Sequence, residues 1–358
     1  MDLYQKISIL GPGAQYDTCG PRDFGQTTTI PGVYHAKVGS TVCRLFKVLQ
    51  SNYCQNNCLY CAFRRDRNCA RTQATADEMA AAFSSAHQRR LVDGLFLSSG
   101  IIANPETTMT KMLDTLTLLR RKYHYRGYIH LKIMPGSSAS TIRAAAKLSN
   151  RLSLNIESPT QKGLRSLSPE KDLKTGFFQT LFEIKKQLRQ LQFYGLKTPS
   201  LTTQFVVGAN TDSDSDFIRT TNLLYTSFGL KRVFFSAFRP IPNTPLENLP
   251  ASSLTRQHRL YQSDFLLRFY RFSPQDLPLD QNGNLFESTD PRTLWANLHP
   301  NAFPINLNFA SYYQLLKIPG LGPVTAAKII KNRRLSPITS SNLSSLKLPQ
   351  KSLSYIKT

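Results

Sequence analysis

The chain is poor in acid. Its 358 residues hold 22 Asp and Glu against 45 Lys and Arg, a formal charge of +23, and that imbalance points to a polyanionic partner, nucleic acid before an anionic membrane surface. Long apolar runs are missing as well. No window approaches the roughly 18 apolar residues that a spanning helix needs, and the opening MDLYQKISILGPG is too short of apolar residues for a secretory signal. A cytoplasmic protein without membrane contact is expected, with its six cysteines reduced. Paired Cys-x2-Cys knuckles, the usual mark of a zinc site, are absent too.

The cysteines take a different pattern. In SNYCQNNCLYCAFRRDRNC, residues 51–69, Cys54, Cys58 and Cys61 stand at Cys-x3-Cys-x2-Cys. Three thiolates on one short loop hold three irons of a cubane iron–sulfur cluster, and the fourth iron then stays open to a substrate molecule. A tetrahedral zinc site completed by Cys69 is the rival reading, against which stands the asymmetry of a triplet followed by a lone cysteine. Cys19 and Cys43 read as ordinary buried or free cysteines. The basic residues Arg64, Arg65, Arg67 and Arg71 directly after the triplet are either a solvated loop or cations beside the reaction site.

From residue 43 onward, strand and helix patterns alternate. Short apolar runs at 43–49, 94–98, 128–133, 152–156, 201–207 and 233–238 read as strands. Helical periodicity fills the gaps, opening with the capping box of Thr75 and Glu78 and continuing at 109–123, 139–149, 177–191, 214–228 and 254–271. This alternation predicts an α/β fold, a partial (β/α)6 TIM-like barrel whose chemistry sits at the carboxyl ends of its strands, with a doubly wound open sheet as the alternative. The cysteine loop follows the first of these strands. Asn155 and Glu157, at alternate positions near the end of the fourth, face the same way, and two inward polar groups there are costly unless partnered. Gln204 in the fifth strand and Arg239 after the sixth are weaker candidates, and the lone His130 reads as a hydrogen-bonded core residue.

Four segments are predicted: an irregular lead-in over 1–42, the barrel over 43–272, a connector over 273–300 and a small helical module over 301–358. From Pro291 to Thr358 there is no Asp or Glu against nine Lys and Arg. LLKIPGLGPVTAAKIIKNRR, residues 315–334, reads as two helices around the turn Pro319-Gly320-Leu321-Gly322-Pro323, which looks like a helix-hairpin-helix. Gly320 and Gly322 would let the hairpin backbone approach a phosphate at the second helix's N-terminus. Lys328, Lys331, Arg333 and Arg334 would add sequence-independent attraction. The residues after it resemble a second hairpin without its glycines.

The cysteine spacing, with the aromatic Tyr60 just before the last cysteine, resembles the radical S-adenosylmethionine (radical SAM) superfamily. That resemblance implies a 4Fe-4S cluster on Cys54, Cys58 and Cys61, with S-adenosylmethionine chelated at the open iron. An external electron donor would then drive its cleavage to methionine and a 5′-deoxyadenosyl radical. It places Tyr60 near the adenine and Ser98, Ser99 and Gly100 at the methionine amino group, although the family's Gly-Gly-Glu is here Ser-Ser-Gly. Asn155 and Glu157 would meet the ribose or the carboxylate, and Gly208 resembles the family's adenine-contact glycine. The two ends together resemble radical SAM proteins with a C-terminal helix-hairpin-helix, described as DNA modification or repair proteins and associated with a uracil-DNA-glycosylase-like partner. DNA is the expected nucleic acid. A tRNA-modifying radical SAM enzyme and a non-catalytic zinc or iron–sulfur nucleic-acid-binding protein are the alternatives.

Overall fold

The computed structural model describes residues 1–17, 30–38 and 41–358, so Cys19 lies outside the described residues. The chain divides into two compact units, the first formed by Met1–Asp212 with Leu223–Gln257 and the second by Ser213–Asn222 with His258–Thr358.

In the first unit seven strands lie in chain order across one sheet. They are β1 (Val33–Val38), β2 (Thr41–Leu49), β3 (Gly94–Ser98), β4 (Tyr128–Lys132), β5 (Arg151–Ser153), β6 (Ser200–Val207) and β7 (Arg232–Ala237). β1 pairs antiparallel with β2, and every later pair is parallel. Parallel neighbours require a crossover. α1 (Leu3–Gly13) precedes the sheet, and the crossovers carry α2 (Ala76–Gln88), α3 (Pro105–Arg121), α4 (Ala139–Leu148), α5 (Gln161–Leu167) with α6 (Gln179–Phe193), and α7 (Asp214–Phe228); α8 (Leu254–Phe269) follows β7. The six expected strands are therefore present.

Local chemistry starts these helices where the spacing predicts. The Thr75 and Glu78 capping box opens α2. Asn104 caps α3 with Pro105 in its first turn, a few residues ahead of the expected start, because proline with its fixed φ suits that position. Residues 1–42, expected as an irregular lead-in, instead carry α1 and β1. α1 begins with a capping box of Asp2 and Gln5, and Lys6 Nζ lies 2.7 Å from Glu78 Oε1. Apolar periodicity alone misses this helix because Gly11, Pro12 and Gly13 crowd its end.

The strands have two different faces. Leu95, Leu97, Ile129, Leu131, Phe205, Val207, Val233 and Phe235 are fully buried, and at alternate positions stand Lys47, Phe96, Ser98, His130, Lys132 and Gln204. The sheet curls towards this second set. Leu49, Ser98, Lys132, Asn155 and Gln204, from β2 to β6, line one cavity of about 160 Å³, whereas five strands of a flat sheet at ~4.8 Å spacing would spread over roughly 19 Å. The result is a partial barrel with a polar interior.

In the second unit, α9 (Pro291–Leu298) precedes β8 (Ile305–Asn306), α10 (Tyr312–Lys317) and α11 (Pro323–Arg333), and β9 (Ile356–Lys357) pairs with β8. Leu307, Leu315, Leu316, Ile318, Leu321, Ala326 and Ile329 are fully buried. Among the described residues no helix is long and apolar enough to cross a membrane.

His130 is a core residue, but not a hydrogen-bonded one at Nε2: that atom is buried without a partner, and the ring meets Phe96 edge-on at 4.3 Å. Burial, aided by the charge of Arg151, holds its pKa well below the ordinary 6.5. Below pH 6.5 the unfolded chain binds a proton that the native chain refuses, so stability is full above 6.5 and falls as the pH drops, by up to about 1.4 kcal/mol per unit. His130→Asn should flatten this slope in urea unfolding between pH 7 and 5. A variant as steep as wild type would show that another group sets the acid sensitivity.

Candidate active site

After Leu49 the chain leaves the sheet and runs without regular ladder or helix to Gln73, so its backbone polar groups need other partners. β3 supplies several. Gln50 N–H donates to Ser98 O at 2.7 Å, Gly100 N–H to Ser51 O at 2.8 Å and Gln55 N–H to Ile101 O at 2.7 Å. Gly100 must lack a side chain, since a Cβ would run into the Tyr53 carbonyl and stand 3.1 Å from Cys54 Cβ. Arg71 closes the loop on itself. Its Nη1 donates to Asn52 O (2.5 Å) and Phe63 O (3.0 Å), its Nη2 to Arg64 O (2.6 Å) and Arg67 O (3.0 Å). Arg67 likewise donates to Ala62 O and Pro242 O, and Arg65 pairs with Asp66 and Glu170. The basic cluster thus holds the loop together.

The segment after α5 grips the same loop from the other side. Leu59 N–H donates to Leu167 O at 2.8 Å, Asn57 N–H to Glu170 Oε2 at 3.1 Å, and the Ser168 hydroxyl lies 3.2 Å from Cys58 Sγ. Nothing in the spacing of SLSPEKD announces this role.

Cys54, Cys58, Tyr60, Cys61, Ser98, Ser99, Gly100, Asn155 and Glu157 all line the 160 Å³ cavity. An adjoining cavity of about 320 Å³ shares Tyr60, Cys61 and Gln204 with it and adds Tyr34, Ser236, Phe238 and Arg239. Gly208 lines neither. Its φ is +85°, and a Cβ there would strike Ser252, so this glycine answers to backbone conformation and packing. Unforeseen residues on the wall include Tyr16, Asp17, Lys132 and Lys171. The first two follow α1, in a stretch with no visible motif.

Inside the barrel an ion pair forms, while the buried Lys47 Nζ has no hydrogen-bond partner. Lys132 Nζ lies 2.8 Å from Asp17 Oδ1, and Asn155 Nδ2 donates to the same oxygen at 3.1 Å. Burial opposes both charges, but the pairing outweighs it, so the Asp17 carboxyl is lowered and the Lys132 ammonium raised. Lys47 is 2% exposed, and its Nζ sits 4.1 Å from the centre of the Tyr34 ring. Glu157 is held at φ +70° while its N–H and C=O bond Gln204 O and Val206 N–H, an uncommon conformation for a non-glycine residue and one that clusters at functional sites. Burial, with Glu157 next, drives the Tyr60 hydroxyl well above its usual range. Burial and the neighbouring Cys58 push the Cys61 thiol up to about 12.

This donor set fits a cluster with three thiolate ligands. Cys69 does not line that cavity; its Sγ is 3.8 Å from Ala62 O, in a groove shared with Cys54, Arg65, Arg67 and Arg71. Among the described residues, no group of three or more His, Cys, Asp or Glu is placed to hold a single metal ion. Cys43 pairs with Ala36 between β2 and β1 and lines neither cavity.

The second unit builds the expected two-helix turn. Gly320 has φ +89°, a left-handed conformation, and a Cβ there would press on Lys351 and Pro349 at 3.1–3.3 Å. Gly322, which caps α11 without a side-chain bond, faces open space. Arg292 Nη1 holds the turn through Leu316 O (3.1 Å) and Leu321 O (2.7 Å). Arg333 spends its Nη1 on Leu307 O and Ala310 O and Lys328 its Nζ on Ser345 O, leaving Lys331 and Arg334 as exposed side chains on α11. Beyond it Lys347, left-handed at φ +51°, and Pro349 join two 3-10 segments, Leu343–Leu346 and Gln350–Tyr355.

No protein-family model matches the chain, and no curated protein matches its sequence. Solved structures similar to it include methylornithine synthase, at 17% identity and a TM-score of 0.49 over 62% of this chain and 60% of that one. The FeFe-hydrogenase maturase HydG from Carboxydothermus hydrogenoformans gives 14% and 0.48 over 84% and 80%, and a radical SAM methyltransferase from Sphaerobacter thermophilus 16% and 0.46 over 64% and 65%. The chain thus spans 60% of the length of the methylornithine synthase structure. At these identities no residue role is carried over.

Because Arg71 alone satisfies four carbonyls, Arg71→Ala should cost about 1–3 kcal/mol of stability and sharply reduce the iron held after anaerobic reconstitution. Arg71→Lys should not restore it, since a single ammonium lacks the planar fork. Full iron content in Arg71→Ala would mean that β3 and the Leu167–Lys171 segment suffice.

Proposed function

We propose that the chain is a radical SAM enzyme acting on nucleic acid. The observation that carries the first half is the meeting of Cys54, Cys58 and Cys61 with Tyr60, Ser98, Ser99, Gly100, Asn155 and Glu157 on one cavity, at the carboxyl ends of parallel strands. A 4Fe-4S cluster held there by Cys54, Cys58 and Cys61 would supply one electron, taken from an external donor, for the reductive cleavage of S-adenosylmethionine. The chain's own residues hold and orient. The three thiols ligate. Ser99 donates its hydroxyl to Gly100 O at 2.7 Å, which orders the β3 end where Ser98, Ser99 and Gly100 would meet the methionine amino group. Asn155 and Glu157 supply amide and carboxylate to the polar groups of the bound molecule, and Tyr60 a ring. Leu49, Ile133 and Met134 on the same wall keep water from a reactive radical.

The second half rests on the tail. A turn with Gly322 facing open space, an uncapped helix start behind it and the exposed Lys331 and Arg334 suit a phosphate backbone. DNA, with modification or repair as the outcome, is the reading this motif favours, and a uracil-DNA-glycosylase-like protein is the partner it implies.

Anaerobic incubation with S-adenosylmethionine and dithionite, followed by mass analysis of nucleosides from added duplex DNA and tRNA, tests the whole reading. Cys54→Ala, Cys58→Ala or Cys61→Ala should each abolish 5′-deoxyadenosine, while Cys69→Ala keeps it; activity in Cys58→Ala would sink the cluster assignment. In the tail, Gly322→Val should weaken duplex binding without altering cofactor cleavage in the absence of DNA. Gly320→Val is the poorer probe because it strains the turn itself. Lys331→Ala should flatten the slope of log affinity against log salt by roughly one unit. A slope equal to wild type would remove Lys331 from the interface.

A further inference from the structure

One residue outside the cysteine loop touches the Cys58 sulfur and another lines the same cavity. Ser168 is 1% exposed and Cys58 6%, with Oγ and Sγ 3.2 Å apart. Once Cys58 ligates iron as a thiolate it has no proton, so the hydroxyl must be the donor. Lys171 lines the same cavity as Cys54, Cys58 and Glu157. The backbone that carries both residues is anchored independently of their side chains, through Leu167 O to Leu59 N–H and Glu170 to Asn57 and Arg65.

We infer that Lys171 and Ser168 are positioning residues that set the reduction potential of the cluster through Cys58. The inference rests on the cluster reading above. One-electron reduction adds one negative charge to the cluster, and no bond need break. An ammonium near the ligand sulfurs stabilises the reduced state more than the oxidised one. A hydroxyl donating to a ligand sulfur acts in the same direction, because hydrogen bonds to the sulfurs tune cluster potentials. Both raise the potential and so ease electron entry from a donor.

The full-length protein, reconstituted anaerobically without S-adenosylmethionine, tests this by iron and sulfide content and by a redox titration followed by electron paramagnetic resonance. Lys171→Met should hold wild-type iron and lower the reduction equilibrium constant at least tenfold, about 59 mV for one electron. Lys171→Arg should retain most of the potential, and Ser168→Ala should show a smaller fall. Lys171→Met titrating at the wild-type potential overturns the inference and leaves the cluster reading intact. If Lys171→Met fails to bind iron, Ser168→Ala decides, an unchanged potential counting against. A wild-type protein that assembles no cluster overturns the functional reading itself.

Discussion

A loop that must aim three sulfurs at one cavity has no ladder or helix of its own to hold it, and the rest of the first unit is arranged to meet that constraint. Its carbonyls converge on the Arg71 guanidinium, its amides reach the end of β3, and its far side is tied to Leu167–Lys171. Each bond contributes only about 0.5–1.5 kcal/mol net. Together they turn an irregular segment into a rigid mount, which a ligand set needs if its geometry is to survive binding and release of a substrate. Gly100 belongs to the same device, since any Cβ would push the loop off β3.

The second constraint is the polar interior. Lys47, Lys132 and Lys171 bring three ammonium groups inside a partial barrel, against the carboxylates of Asp17 and Glu157. Buried charge is tolerated only where it is paired or hydrogen-bonded. The Asp17 to Lys132 pair with Asn155 meets that condition, and Lys47 rests on the Tyr34 ring. The apolar outer faces of the same strands supply the stability that this interior does not, through fully buried residues such as Leu95, Leu131, Phe205 and Val233.

The sheet was legible because its strands are short β-branched and aromatic runs separated by helical periods, and the cavity's cysteines because their spacing is itself chemistry. Asn155 and Glu157 do line the cavity, but they stand past the end of β5 with Glu157 at φ +70°, so strand alternation is not what turns them inward. Gly208 misled, because a glycine after a strand looks the same in sequence whether it faces a ligand or avoids Ser252. The arginines after the triplet read as free cations, yet hydrogen bonds to backbone carbonyls leave no sequence trace. The helix α1 was hidden by the glycines and proline at its end, and with it Tyr16 and Asp17.

The sequence by itself determined the type of chemistry. Ligand identity and spacing are local properties, and three thiols within eight residues meet at one place under almost any fold. Turn glycines and capping residues likewise act on their immediate neighbours, which is why the strand order, the α2 start and the Gly320 turn follow from reading along the chain. Only the tertiary structure decided what surrounds the sulfurs. Ser168 lies 110 residues from Cys58 and Asp17 138 from Asn155, and such pairs meet only because the sheet curls and brings strand ends together. Burial then does what no spacing predicts, holding a histidine neutral beside a phenyl ring.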